Sequence, residues 1–394
     1  MALADPIPWP FFAGGEFVEQ LDSRTDILPA ATGPEQRIRL RPEPHVRLTF
    51  DGLAEGDERR WLENLLHANG DGRWCVPWPM EGQALAAPVS LGGTTIGLDT
   101  RWRHFVAGGQ ALLVGATPRQ HALVSIDSLT DEALELAEPL DASWPAGTLV
   151  YPVMPARLDG MLELPRFTGD AGAYQVKWRA DAAVAWPAAS GELTYRGVPV
   201  LDLPLEWTQD PLDVPERSFT TVDDGLALPF AVDQAGQPRN RIRVACTVQG
   251  LEAAAQLRSL LYALGGSWGA LWVPSLAHDF RVVGNVLVGA TALDVAWAGY
   301  SLAAPAQNRR DIRITLWNGT TYYRRITGAT ELSATTERVT LDSALPAAFL
   351  AVDVAQVAFL QLCRQEADVN VLRWWTSDVV RTTLEFRGEV AHGV

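Results

Sequence analysis

The sequence repeats itself. "WLENLLHANGDGRWCVPWP", from Trp61, and "QLRSLLYALGGSWGALWVPS", from Gln256, each carry a Leu-Leu pair, a glycine-containing turn and a tryptophan leading into Val-Pro. Leu65 and Leu66 match Leu260 and Leu261, and Pro77 matches Pro274. "DEALELAEPLDASWPAGTLVYPVMPARL" from Asp131 matches "TERVTLDSALPAAFLAVDVAQVAFLQLCR" from Thr336, and "AYQVKWRA" from Ala173 matches "RTTLEFRGE" from Arg381. A fourth pair sets "TDILPAATGPEQRIRLR", from Thr25, against "DDGLALPFAVDQAGQPRNRIRV", from Asp223. The blocks keep one order at a spacing near half of the 394 residues. Self-similarity at a fixed spacing marks a reused structural unit. The expectation is therefore two tandem units, 1–196 and 219–394, with the Pro-rich stretch 197–218 as the joint.

Each unit reads as mainly β. "RIRLRPEPHVRLTF", "RIRVACTVQG", "TLVYPVM" and "TTLEFRGEV" alternate apolar and polar residues, the pattern of half-buried strands. One helix is expected per unit, over 55–68 and 252–264. Leu62, Leu65 and Leu66, and Leu257, Leu260, Leu261 and Leu264, recur at helical spacing. Glycine follows each helix, as C-terminal stop chemistry predicts. Short strands parted by Asn318-Gly319 and Thr327-Gly328 predict a small barrel-like segment over 281–362, with a counterpart over 91–158. A closing strand is expected over 380–390. The fold class expected is mainly β with a minor α component: two tandem β-sandwiches, each with one flanking helix and a small β-barrel-like insert.

Chemistry is harder to find. Gly265-Gly266-Ser267-Trp268-Gly269 spells the nucleophile-elbow pattern. That elbow needs strand, sharp turn and then helix, whereas here a helix precedes the turn and a strand follows. The glycines are better explained as a left-handed helix cap, and the matching loop of the first unit, from Asn69 to Arg73, has no serine. His278-Asp279 nearby is no evidence of a triad, and Asp279 reads as holding a turn. Asp131, Glu132, Glu135 and Glu138 read as a solvated acidic face. The three cysteines lie far apart and the six histidines show no ligand spacing, so no catalytic residue, cofactor or metal site is expected. A net charge of −15 argues against a duplex-DNA binder that grips phosphates. The N-terminus lacks signal-peptide character, and no run of about 18 apolar residues predicts membrane insertion.

Interaction residues are easier to nominate. Fifteen tryptophans are many, and tryptophan is enriched at core edges and interfaces. Trp61, Trp74, Pro77, Trp272 and Pro274 belong to the repeated helix–turn–strand block, and Trp374-Trp375 precedes the last strand. Arg37 with Arg39, and Arg241 with Arg243, each put two positive charges on one face of a strand, which suits an acidic partner or a neighbouring subunit and equally suits simple exposure to solvent. These residues are the structural and interface candidates. Exposed tryptophans on a β-scaffold also suit a carbohydrate- or receptor-binding protein.

"LRSLLYALGGSWGALWVPSLAHDFRV", "PLDASWPAGTLVYPVMPARL", "ITGATELSATTERVTLDSALP" and "TTLEFRGEV" together resemble the distal tail, or baseplate hub, proteins of long-tailed bacteriophages. The resemblance is one of pattern over most of both units, and no single motif in it is diagnostic. It implies a non-enzymatic virion protein of the tail tip, assembled in the host cytoplasm, forming a ring at the end of the tail tube. Its implied partners are further copies of itself, the tail tube protein, hub and fibre proteins, and the tape-measure protein. DNA would pass through the lumen without specific binding. Family members supply one unit each to a six-fold ring, so two linked units imply three copies in a pseudo-six-fold ring, or six copies with the second unit as an extra layer.

Overall fold

Val46, Leu48, Phe50 and Ala54 alternate with more exposed neighbours and are all buried, so period-two patterning sets the strand they form. The computed structural model describes residues 6–30, 35–69, 72–186, 193–203, 206, 210–217, 219–223, 225–226, 228–233, 235–303 and 309–389. About half of the residues are in strands and a tenth in helices. The first half runs β1 (Ile7–Pro8), β2 (Gly14–Asp22), β3 (Thr25–Pro29), β4 (Glu35–Arg39), β5 (His45–Glu55), α1 (Gly56–Asn69), β6 (Trp74–Pro77), β7 (Gln83–Ala84), β8 (Thr95–Gly97), β9 (Gln110–Val114), β10 (His121–Thr130), β11 (Ala133–Leu136), β12 (Leu149–Leu158) and β13 (Ala171–Ala180). A small hairpin, β14 (Thr194–Tyr195) and β15 (Val198–Pro199), follows.

The second half runs β16 (Leu212–Glu216), β17 (Phe219–Val222), β18 (Phe230–Asp233), β19 (Arg239–Gln249), α2 (Leu251–Leu264), β20 (Ala270–Pro274), β21 (Ala292–Ala296), α3 (Tyr300–Ala303), β22 (Asp311–Leu316), β23 (Thr321–Ser333), β24 (Thr336–Leu341), β25 (Val354–Gln365), β26 (Val369–Trp374) and β27 (Val379–Gly388). Residue 390, the expected end of the closing strand, lies outside the described residues, as do Gly70 and Asp71 of the first turn.

The two halves share one ladder pattern. β2–β5–β13 is matched by β16–β19–β27, all antiparallel. β6–β12 is matched by β20–β25. β1 pairs in parallel with β6 at Trp74, and Val200 bridges Trp272 in parallel. Even the turns repeat. Thr168 Oγ1 accepts from the N–H groups of Asp170 and Ala171, and Thr376 Oγ1 accepts from those of Asp378 and Val379. The Asp170 and Asp378 carbonyls then accept from Gly56 and Gly250, which precede or open the two helices.

Each half also carries an insert with its own core. In the first, the ladders run β8–β11–β10–β9–β12–β7; in the second, β21–β24–β23–β22–β25. Among the described residues no regular ladder closes either barrel. In the first insert the gap is spanned by the Val89–Trp144 bridge and isolated hydrogen bonds such as Leu85 N–H to Thr148, and in the second by the Val286–Phe349 bridge. Ile96, Leu113, Ile126 and Leu134 fill the first insert, and Val295, Ile312, Ile314 and Val339 fill the second.

The structure adds two features to the expectation and corrects a third. The two sandwiches share a core: β2 of the first half pairs with β26 of the second, and one cluster runs through both, from Trp9, Leu48 and Trp178 to Ile242, Leu261 and Phe386. The stretch 197–218 is more than a joint. It supplies β15, the Val200 bridge and β16, while residues 204–205, 207–209 and 218 lie outside the described residues. Finally, the Arg37–Arg39 and Arg241–Arg243 strands are not counterparts. Arg37 and Arg39 lie on β4, in a hairpin matched by β17–β18, whereas Arg241 and Arg243 lie on β19, matched by β5. Alternation alone does not say which strand of a sheet a segment becomes, and that ambiguity misaligned the block.

Candidate functional site

α2 carries an arginine in its apolar stripe. Arg258 sits between Leu257 and Leu261 and is about 1% exposed. A buried guanidinium is tolerated only when it is paired and hydrogen-bonded. Its partners come from the other half. Arg258 Nε and Nη2 donate to the two carboxylate oxygens of Glu19 on β2 at 3.0 and 2.7 Å, and Nη1 donates to Glu81 Oε1 at 2.6 Å. Glu81 lies in the single turn Pro79–Glu81 after β6. Its two oxygens also meet His104 Nδ1 and the His104 N–H, each at 2.6 Å. Trp374 Nε1 donates to Glu19 at 3.0 Å, and Trp186 Nε1 donates to Ser259 Oγ at 2.7 Å.

Aromatic faces close the site. The guanidinium carbon lies 4.8, 5.0 and 5.5 Å from the ring centres of Trp374, Trp186 and Trp78. Such cation–π contacts strengthen when desolvated. The His104 ring stacks on Trp78 at 3.7 Å and 4°. Every hydrogen-bonding position of Glu19 and Glu81 facing Arg258 is therefore used inside the protein, and the arrangement is a lock between two halves.

A second contact joins the halves at the turn after α2. Arg37 Nη1 donates to the Ser267 carbonyl at 2.5 Å, and Arg39 lies over the Trp268 ring at 5.4 Å. Glu35 accepts from Arg239 at 2.9 Å. Asp368 accepts from the Thr25 N–H, the Thr25 hydroxyl and the Ser267 N–H at 2.7, 2.8 and 2.9 Å. The β3–β4 hairpin is thus clamped onto the turn after α2.

That clamp also places Ser267. Its residue is buried, and it stands after a helix and before a strand, with Gly265 (φ 58°) and Gly266 (φ 72°) left-handed; the Gly265 N–H donates to Leu261. The geometry of a nucleophile elbow is absent there. Asp279 accepts from the Phe359 N–H at 2.8 Å and from the Ser275 hydroxyl, holding the loop after β20.

The nominated residues separate into four groups. Trp374 lies in the Arg258 lock, and Arg37 and Arg39 lie at the separate contact with the turn after α2. Trp74 and Pro77 are buried in the first half's sandwich, and Trp272 and Pro274 in the second, where Trp272 Nε1 donates to the Tyr195 carbonyl at 3.0 Å. Trp61, Trp375, Arg241 and Arg243 lie at the surface. Trp61 is half-buried on α1 beside Phe11 and His121, Trp375 is half-exposed beside Arg381, and both arginines pair with Glu385 at 3.3 Å. Sequence reasoning missed Glu19, Glu81, His104, Arg258 and Asp368. Only Arg258 left a legible signal, a charge on the apolar stripe of a helix.

Burial pushes the Glu81 carboxyl up, but the His104 and Arg258 charges and the His104 hydrogen bonds outweigh it and hold the group down at about 2. A depressed carboxylate stabilises the fold above its unfolded pKa, near 4.3, and that contribution is lost as pH falls through the folded value. Acidification from about pH 4.5 to pH 2 is therefore expected to remove on the order of 3 kcal/mol through this group. Thermal midpoints measured across that range should fall steeply in the native protein and less steeply in Glu81→Gln.

Among the described residues no group of three His, Cys, Asp or Glu side chains could hold a metal ion, and no helix is long and apolar enough to cross a membrane. Cys75, Cys246 and Cys363 are free and buried, and burial raises all three thiols, the first two to about 11 and about 12. No protein-family model matches the sequence, and no curated protein matches it at a significant level.

Proposed function

We propose that the chain is a structural virion protein of a phage tail tip: a ring-forming distal tail adaptor that joins the tail tube to hub and fibre proteins. The observation that carries this reading is the head-to-tail junction. Two halves with the same ladder order meet through unlike surfaces, the β2 edge of one against β26 and α2 of the other. Unlike-surface contacts between like units generate closed rings or open filaments. Three copies would give six units in a pseudo-six-fold ring, and six copies would add a second layer. Tape measure and DNA would use the lumen, and the net charge of −15 suits passage of a polyanion without sticking.

Native mass spectrometry and negative-stain imaging of the purified protein, alone and with isolated tail tubes, test this. Rings of three or six chains capping tube ends are expected. A monomer that ignores tube ends overturns the reading and favours the alternative, a glycan- or receptor-binding protein. Trp317, 76% exposed beside the β22–β23 turn, is the observation that favours that alternative.

A further inference from the structure

The internal junction leaves its own two surfaces unused at the ends of the chain. β2 pairs with β5 on one edge and β26 on the other. Its counterpart β16 pairs with β19 on one edge, and among the described residues no strand lies on the other. β26 pairs with both β27 and β2. Its counterpart, residues 161–166, bridges β13 at Glu163–Gln175 and Arg166–Gly172, with no strand among the described residues on its far side. A bare sheet edge is a template for another strand.

The helices show the same asymmetry. α2 buries nine residues, including Ala254, Ala255, Arg258 and Ser259, against both halves. In the repeat alignment, Ala255, Arg258 and Ser259 correspond to Arg60, Glu63 and Asn64 of α1. On α1 Arg60 and Asn64 are exposed while Glu63 is partly covered by Arg59 and Arg166, and Asp57, Arg60, Trp61, Asn64 and Arg119 line an open concavity of about 400 Å³ there. The hairpins agree. Phe219 and Phe230 on β17–β18 are 61% and 65% exposed, whereas β3–β4 is held against the turn after α2.

Charge placement is related but not identical, because Glu63 of α1 holds the place of Arg258 and the positive charge beside it comes from Arg166. Leu48 and Ile242 are counterparts, since they pair with Trp178 and Phe386 in the matched last strands. Glu19 pairs with Leu48 and Asp213 with Ile242, so Asp213 holds the place of Glu19. Asp279, after β20, binds Arg309 at 3.1 Å as Glu81, after β6, binds His104. Asp213 lies in the field of both Asp279 and Arg309. Asp213 also accepts from Asn240 Nδ2 at 2.7 Å, so the two carboxylates recur with Asn240 and the half-exposed Arg309 as partners, and among the described residues no buried helix arginine reaches both. On the opposite surface, Arg166 takes the place of Trp374 and pairs with Glu63 at 2.9 Å, beside Arg60.

We propose that the free edge of β16 in one chain pairs antiparallel with residues 161–166 of a second copy, which brings α1 of that copy under the Asp213–Asp279 face, as α2 lies under Glu19–Glu81. The register follows from the internal ladder: Gln20–Val371 and Glu19–Leu372 become Val214–Glu163 and Asp213–Leu164. A ring closed this way contains an even number of units. The inference names the partner surface of the ring described above and rests on that reading.

Paired cysteines test the register. The native cysteines are buried, while Glu163 and Val214 are exposed. Full-length Glu163→Cys/Val214→Cys, mildly oxidised, is expected to give disulfide-linked oligomers ending at the ring's copy number. A mixture of the two single variants should give dimers only. A charge test runs in parallel on surface residues. Asp213→Arg and Arg166→Asp should each weaken self-association about tenfold, and chains carrying both should recover it. Rings without the Glu163–Val214 crosslink overturn this contact and leave the tail-ring reading intact. Chains monomeric in both tests at about 100 μM overturn it too. Crosslinked rings that fail to cap tail tubes support the contact and count against the tail assignment.

Discussion

Replacing Arg258 with alanine is expected to destabilise the protein by about 3–5 kcal/mol, the cost of leaving buried charges without their partner. Glu19 and Glu81, both fully buried, would face each other across an empty site, and Trp374, Trp186 and Trp78 would lose the cation they surround. Lysine is not a substitute. Its ammonium cannot reproduce the planar fork that reaches both Glu19 oxygens and Glu81 together. Arg258→Met combined with Glu19→Gln and Glu81→Gln should recover much of the loss, because removing a whole buried charge cluster costs less than breaking it. Urea unfolding of the three variants checks the order. Equal losses in Arg258→Ala and the triple variant would show that packing, not charge pairing, holds the junction.

Trp74→Ala is expected to cost about 3–5 kcal/mol, the usual range for emptying a large aromatic site in a core. Trp74 is fully buried, with Trp9 and Trp178 centred 5.7 and 5.6 Å away in edge-on and tilted arrangements. The loss should appear in the melting temperature of the isolated chain. Trp375→Ala is the contrast. Its ring is 51% exposed and should change stability by about 0.5 kcal/mol or less. Both residues look alike in sequence, as tryptophans at the borders of repeated blocks. If Trp375 proves the more costly of the two in the isolated chain, the assignment of core and surface fails.

The buried lock and the edges of β16 and residues 161–166 are related by the repeat. Inside the chain, the edge of β2, the face of α2 and the β3–β4 hairpin are all satisfied by the partner half. At the chain's ends, β16, α1 and β17–β18 present the corresponding groups to solvent. Linking the two units in one chain lets the internal junction form at a high effective concentration. The α1 side has a more polar set of residues than the α2 side: Arg60 for Ala255 and Arg166 for Trp374. Charges suit an exposed surface of this size, since a large exposed apolar patch invites aggregation.

The sequence alone determined the local structure. Alternation over a few residues specified β5, β13, β19 and β27, helical spacing of leucines specified α1 and α2 to within a residue or two, and the glycines after Leu264 specified the left-handed cap. These features depend on contacts within about a turn or a strand width, so they are written in neighbouring residues. The repeat, too, was legible, because matched blocks carry the same local pattern. Tertiary structure alone decided the rest. Phe17 lies against Trp374, and Glu19 and Glu81 converge on Arg258, across most of the chain's length. Arg37 and Arg241 share one local pattern yet occupy non-equivalent strands. Which edge meets which strand is settled by the packing of the whole core, and no short window of sequence contains it.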